Sequence, residues 1–298
     1  MERTLETNGR NNTNLKLALQ KEGRLTQPTL DLLRAVGLEF ETYRARLFAA
    51  CRNFDLELLY VRDDDIPEYV AEGVVDLGVI GQNMVVESGF DVCELLPLGF
   101  GFCSLVVAVP KESEIGTPEQ LAGTRVATSY PVSAGRYFAD QGISVNLIPV
   151  SGSVELTPTL GVAQGIVELT ATGSTLRIND LRSIDTVLTS EAALVGNPAA
   201  LAQPERRAKI DRLLMRFKAA LVAKEYKYVM MNVPRSALEE VERIAGGMKS
   251  PTVVELADPD WVAVHTAVKE SSFWEVIEKL RAAGATEILV TPIEKMIL

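Results

Sequence analysis

Gly165-Ile-Val-Glu-Leu-Thr-Ala-Thr-Gly-Ser-Thr-Leu-Arg-Ile-Asn-Asp-Leu181 decides how this chain is read. Residues 166–169 are a short buried strand by pattern, followed by a turn of hydroxyls with one glycine and a second element from Leu176. Backbone N–H groups and hydroxyls at a strand-to-helix turn can hold an anion, helped by the positive end of the helix. Thr170, Thr172, Gly173, Ser174 and Thr175 can together surround a phosphate, with Gly173 allowing close backbone approach. Glu168 precedes the turn, placed to meet sugar hydroxyls or a metal. The competing reading is an ordinary Ser/Thr-rich turn with a helix cap, since the loop lacks the lysine of the Walker pattern.

Outward from this stretch, strand and helix signals alternate over residues 15–221, predicting parallel sheets flanked by helices. Residues 15–19 read as a strand, 20–24 as a turn, and 26–36 as a helix with Pro28 in its first turn and Gly37 as its stop. A strand at 56–61 runs into Arg62-Asp-Asp-Asp-Ile-Pro67 and a helix ended by Gly73, and another strand follows at 76–80. The apolar β-run 103–109 leads to Pro110, read as a crossing into a second lobe. That lobe repeats the rhythm: strand 125–128, helix 133–140, strand 144–150, a helix opened by 151–155, the strand 166–169, then return strands 184–188 and 192–195. An amphipathic helix spans 204–224. Two lobes joined by two crossings predict a hinge with a cleft. The last seventy or so residues change pattern to strand 228–233, helix 237–244, strands 252–256 and 261–268, helix 273–283 and strand 286–290, the ferredoxin-like order.

At 298 residues the chain has room for two or three domains. Its 30 Lys and Arg against 40 Asp and Glu give a net charge of −10, which argues against non-specific nucleic-acid binding but allows a locally basic pocket. Cys51, Cys93 and Cys103 show no paired-ligand spacing and fit a reducing cytoplasm. Residues 1–14 read as a polar disordered tail without an export segment, and no apolar run reaches membrane-spanning length. His265 is the only histidine, in an alternating strand pattern, so histidine-based triads, relays and zinc sites are excluded unless they run through it.

Further charge lies at strand ends, where α/β sheets gather ligands. Arg62, Asp63, Asp64 and Asp65 can meet a nucleotide or water-held magnesium, or cap the helix before Pro67. Lys21 and Arg24 can neutralise a polyphosphate or be plain surface cations. Glu155, after Ser151-Gly-Ser-Val154, can accept from ribose hydroxyls or favour a helix start, and Tyr130 can stack on a base or simply pack.

In order, these segments resemble ATP phosphoribosyltransferase in its long, regulated form. The resemblance rests on Leu19-Gln-Lys-Glu-Gly-Arg-Leu25, Val61-Arg-Asp-Asp-Asp-Ile-Pro67, Gly73-Val-Val-Asp-Leu-Gly-Val-Ile-Gly81, Ala127-Thr-Ser-Tyr-Pro131, Gly152-Ser-Val-Glu155 and residues 168–176. It continues through Lys227-Tyr-Val-Met-Met231, Ser250-Pro-Thr252, Phe273-Trp274-Glu275 and Pro292-Ile-Glu-Lys-Met296. It implies an α/β, two-lobed, type II periplasmic-binding-protein-like catalytic region and a ferredoxin-like, ACT-like regulatory domain. Lobe I would comprise 15–106 and 189–225, lobe II 107–188 with the phosphate loop, and the regulatory domain 226–298. It further implies attack by N1 of ATP on phosphoribosyl pyrophosphate, with inversion, loss of pyrophosphate and Mg2+ as cofactor. Glu155, Glu168, Thr170, Thr172, Gly173, Ser174 and Thr175 would hold the sugar donor. Lys21, Arg24, Arg62, Asp63, Asp64, Asp65 and Tyr130 would border the nucleotide and pyrophosphate. Asn232, Met248 and Thr252 would contact histidine as feedback inhibitor. AMP as a second inhibitor, dimers and hexamers, and a cytoplasmic location complete the expectation.

Two departures stand out: the family usually carries aspartate where this chain has Glu168, and commonly an acid where it has Gln164. They leave open an amino-acid sensor with decayed catalytic lobes. A two-lobed solute-binding protein is the other alternative.

Overall fold

In the computed structural model, residues 14–41, 47–246 and 250–298 are described. Residues 1–13 of the expected tail, and Met248, lie outside them. The chain divides into two compact units.

The first unit carries two sheets. Strands β1 (Leu15–Gln20), β2 (Phe48–Ala50), β3 (Leu56–Val61), β4 (Leu77–Gly81) and β5 (Cys93–Pro97) precede β6 (Cys103–Pro110), β7 (Arg125–Thr128), β8 (Asn146–Pro149), β9 (Gly165–Thr170), β10 (Leu181–Ser190) and β11 (Ala192–Gly196). The first sheet has the order β2-β3-β1-β4-β11-β5 and the second β10-β6-β9-β7-β8. In both, three parallel strands lie in the order second, first, third, followed by an antiparallel strand arriving from the other sheet: β11 beside β4, and β6 beside β9. The two lobes therefore share one plan. β4 and β11 are buried along their whole length, whereas the edge strand β2 is half-buried to exposed, as expected for parallel sheets covered on both faces.

The crossing lies earlier than Pro110. Cys103–Pro110 pairs with β9 and β10, so this strand belongs wholly to the second sheet, and Pro110 marks its end. The chain changes sheets over 98–102, where Leu98 N donates to Ala192 O at 2.8 Å and Ala192 N to Phe100 O at 2.8 Å, binding the two crossing segments together. The helix expected from 151–155 is also corrected: only a single turn, Val154–Leu156, forms. Gly152 at φ 117° and Ser153 at φ 50° have positive φ, and Pro158 stands two residues past the turn, after Thr157.

The second unit has β12 (Tyr226–Pro234), β13 (Thr252–Glu255), β14 (Trp261–Lys269) and β15 (Thr286–Pro292) in the order β13-β14-β12-β15, with helices Leu238–Ala245 and Phe273–Ala282. This is the ferredoxin-like arrangement. Alternate residues Val229, Met231 and Val233 of β12 and Val262 and Val264 of β14 pack with Val241 and Leu280 of the two helices. His265 lies on the opposite face of β14, its Nδ1 3.0 Å from the Tyr228 hydroxyl, so the single histidine is a strand-face residue.

Candidate active site

The hydroxyl-rich turn lies at the C-terminal end of β9 and opens the short helix Ser174–Ile178. Gly173 occupies the cap position at φ 70°, a left-handed conformation natural only to glycine. Its amide donates to Thr170 Oγ1 at 2.8 Å, which folds the turn back onto the strand. The hydroxyls of Thr172 and Ser174 are 3.0 Å apart, and Thr172, Ser174 and Thr175 are exposed. The first intrahelical bond is made by Arg177 N to Gly173 O at 3.1 Å. The helix therefore leaves the amides of residues 174–176 free of i→i−4 bonding. One exposed turn thus carries unbonded amides beside two adjoining hydroxyls, a combination that can take a tetrahedral anion.

Two acids stand beside this turn. Glu168 on β9 is half-buried, and its Oε1 accepts from Leu169 N at 2.9 Å. Burial raises its carboxyl pKa above the ordinary value, the Leu169 amide opposes this, and the nearby Glu155 carboxylate raises it further. Glu155 is held in the turn Val154–Leu156. The Tyr130 phenol is pushed well up, chiefly by burial and next by the Glu168 charge, while Arg24 pulls it down and Cys103 and Asp63 add smaller upward effects. Groups from both sheets thus converge: Arg24 and Asp63 from the first, Tyr130, Glu168 and Cys103 from the second. Arg24 Nη2 donates to Cys103 Sγ at 2.9 Å. The loop bearing Arg24 and Lys21 is wound tightly, with Gln20 Oε1 accepting from Leu25 N at 3.2 Å. At Gly23, φ 144°, a Cβ would lie 2.4 Å from Gln20 Nε2.

The acidic run separates by role. Asp63 is the member felt by Tyr130, Asp64 lies 3.8 Å from Arg62 in an exposed ion pair, and Asp65 sits at the cap position of helix Ile66–Ala71 without a side-chain capping bond. Capping by a side chain, one of the readings open from sequence, is thus not how Asp65 acts. Gln164 lies at the other end of β9, where Oε1 accepts from Arg125 N at 3.0 Å and its own amide donates to Arg125 O at 2.9 Å. Six residues of strand place it about 20 Å from the turn. Among the described residues no group of three or more His, Cys, Asp or Glu forms a metal cage, and no helix is long and apolar enough to cross a membrane. In the second unit Asn232 donates to Glu287 and pairs in register with Ala263, while Thr252 pairs with His265. The two therefore share the face of the sheet away from its helices.

Arg177 was missed from sequence: its Nη1 is 3.7 Å from where a Cβ of Gly173 would stand, which puts a cation over the turn. The signal was its spacing, four residues after Gly173 on one helical face. Cys103 was read only as a thiol, because its meeting with Arg24 spans 79 residues of sequence.

The class this architecture defines is a two-lobed α/β fold of the type II periplasmic-binding-protein-like kind with a C-terminal ferredoxin-like, ACT-like domain. The family described as ATP phosphoribosyltransferase matches residues 62–219, and a second, described as HisG, C-terminal domain, matches residues 223–295. An ATP phosphoribosyltransferase of Cytophaga hutchinsonii is 43% identical over 285 residues, covering 96% of this chain and 99% of that protein. One from Natronomonas pharaonis is 42% identical, covering 95% and 100%. Among solved structures, the ATP phosphoribosyl transferase (HisG:HisZ) complex from Thermotoga maritima matches with a TM-score of 0.60 and 30% identity, covering 68% of this chain and 96% of that one. The chain belongs to the ATP phosphoribosyltransferase family, pentosyltransferases of the first step of histidine biosynthesis.

Proposed function

We propose that this enzyme transfers the phosphoribosyl group of phosphoribosyl pyrophosphate to N1 of ATP, giving phosphoribosyl-ATP and pyrophosphate. The observation that carries the reading is the turn 170–175, with three amides outside the helix bonding and the Thr172 and Ser174 hydroxyls side by side, set beside two neighbouring acids. The amides of residues 174–176 and the hydroxyls of Thr172, Ser174 and Thr175 hold the 5-phosphate, with Thr170 bracing Gly173 and Arg177 adding charge. Glu168 and Glu155 accept hydrogen bonds from ribose hydroxyls. Lys21, Arg24 and the segment Arg62, Asp63, Asp64 and Asp65 border ATP and the leaving pyrophosphate, with Tyr130 beside them.

The N1 lone pair forms the new bond to the anomeric carbon as the carbon–oxygen bond to pyrophosphate breaks, and the electron pair departs on that oxygen with inversion. The nucleophile belongs to the substrate, so the protein needs no nucleophile of its own; it positions the two substrates and stabilises charge. This fits a chain with one histidine, lying in the other unit. A magnesium ion suits the donor set, since the neighbouring carboxylates of Glu155 and Glu168 are hard oxygen ligands of the kind it takes alongside substrate oxygens. When bound it would neutralise pyrophosphate, with Glu155, Glu168 or Asp63 reaching it directly or through water.

The division of labour follows the sheets, with the crossings shifted from the boundaries 106/107 and 188/189 drawn from sequence: lobe I carries the strands over 15–97 and 192–196, lobe II those over 103–190, and a regulatory domain spans 226–298. The regulatory domain binds histidine through Asn232, Met248 and Thr252 and lowers turnover, AMP inhibits as well, and the enzyme works in the cytoplasm as dimers and hexamers. The test is absorbance growth from phosphoribosyl-ATP in ATP, phosphoribosyl pyrophosphate and magnesium, with and without histidine. Product that histidine suppresses is expected. Histidine binding without any pyrophosphate release would favour the decayed sensor, and absence of both would refute the reading.

A further inference from the structure

One acid outside the site joins the two lobes. Helix Gln82–Ser88 leaves the first sheet directly after β4. Its start is pinned to the return crossing: Asn83 N donates to Ser190 Oγ at 3.0 Å, Ser190 Oγ to Asn83 Oδ1 at 3.0 Å, Gln82 N to Glu191 O at 3.0 Å and Glu191 N to Gln82 Oε1 at 3.1 Å. At its far end the half-buried Glu87 carboxylate accepts from Val132 N at 2.9 Å, Ser133 N at 2.8 Å and Ser133 Oγ at 2.7 Å. Those donors form the first turn of the ten-residue helix Pro131–Asp140 of the second lobe. That helix has Tyr130 at its cap position and no side-chain cap of its own. A carboxylate at a helix N-terminus meets unsatisfied amides and the favourable end of the dipole. Glu87 is therefore the cap of a helix in the opposite lobe.

We propose that Glu87 is a positioning residue for the transfer reaction, and this rests on the function proposed above. Helix Gln82–Ser88 acts as a strut from the crossing to Tyr130, and it sets the gap between Lys21, Arg24 and Arg62 on one side and Tyr130, Glu168 and the turn on the other. The groups for the 5-phosphate and ribose, Glu155, Glu168 and residues 170–175, all belong to the second lobe, so that end of the donor is held without the strut and only its pyrophosphate reaches across to the first lobe. The nucleotide site needs both lobes at their set distance. Loss of the clasp should thus weaken ATP far more than the sugar donor.

The experiment is steady-state kinetics on the full-length protein as wild type, Glu87→Ala, Glu87→Gln and Ser133→Ala, with hydrogen exchange followed over residues 131–140. Glu87→Ala should raise KM for ATP about tenfold, the scale of a lost charge-assisted bond. It should lower kcat, leave KM for phosphoribosyl pyrophosphate within about twofold, and expose the first-turn amides to exchange. Glu87→Gln, which still accepts from an amide, should fall between the alanine variant and wild type, and Ser133→Ala, which keeps both amide bonds, should stay near wild type. A fall in kcat with both KM values unchanged would signal loss of folded enzyme and overturn the inference, as would equal rises in both KM values or unchanged kinetics. An inactive wild type would refute the transferase reading itself, and this inference with it.

Discussion

Replacing Gly173 with alanine separates the fold from the phosphate site. Gly173 sits at φ 70°, where a side chain is strained, yet the nearest atom to an added Cβ would be Arg177 Nη1 at 3.7 Å, ordinary contact. The protein has room for the methyl, so the cost to stability is the backbone conformation alone, about 1–2 kcal/mol. For a unit of this size that lowers Tm by about 2–8 °C. The ligand is affected differently. In the proposed site the methyl would crowd a phosphate approaching the amides of 174–176, and each charge-assisted bond it disrupts is worth about 1.5–3 kcal/mol. Loss of one such bond raises KM for phosphoribosyl pyrophosphate by about 10- to 150-fold, and loss of two by about 100- to 10,000-fold. Gly173→Asn, more tolerant of the left-handed conformation, should recover much of the lost Tm but little of the KM. Thermal melting and donor-saturation kinetics on the three proteins decide it. A KM within twofold of wild type in both variants would refute the placement of the phosphate at this turn.

Other expectations concern the acids and Gln164. Burial and Glu155 hold the Glu168 carboxyl above its ordinary range, so the ionised form needed to accept from ribose is reached later as pH rises. The acid limb of kcat/KM for phosphoribosyl pyrophosphate should lie above that of an ordinary glutamate, and Glu155→Gln should move it down; a limb unmoved in Glu155→Gln would sink this. For stability the sign is opposite to that of a salt-bridged acid: a raised pKa makes the charged form costly in the fold. Glu168→Gln should therefore be more stable than wild type at neutral pH, with the gain vanishing as pH falls below the ordinary glutamate range, a trend that denaturant melts at several pH values would read. Gln164→Glu should leave kcat within about twofold, because Gln164 brackets the start of β9 about 20 Å from the chemistry. Gln164→Ala should cost about 1 kcal/mol in denaturant melts through the lost bond to Arg125 N.

Much of this molecule was legible in local pattern. The apolar run 166–169 and the glycine after its hydroxyls lie within one strand and one turn, so their spacing fixes the local geometry, and the ferredoxin-like order follows from alternating segments ended by glycine. The matching plan of the two sheets was not legible, because it depends on β11 and β6 inserting beside strands far away in sequence. The change of sheet before Cys103 was hidden for a related reason: Pro110 is a strong local breaker, while the crossing at 98–102 is held by bonds to Ala192. At the site, Glu168 and the turn were visible as composition. Glu87 gave no signal, since its two partners, Val132 and Ser133, lie 45 and 46 residues away and belong to a helix that looks complete from its own sequence. For Gln164 the sequence left two readings open, a charge missing from the mechanism or a structural cap, and its bond to the Arg125 amide favours the second.

A crystal structure of the protein with phosphoribosyl pyrophosphate and magnesium tests the central claim most directly. The account predicts the 5-phosphate within hydrogen-bond distance of the amides of residues 174–176 and the hydroxyls of Thr172 and Thr175, with the ribose against Glu168. A donor bound at full occupancy elsewhere, with this turn unchanged and solvent-filled, would contradict it.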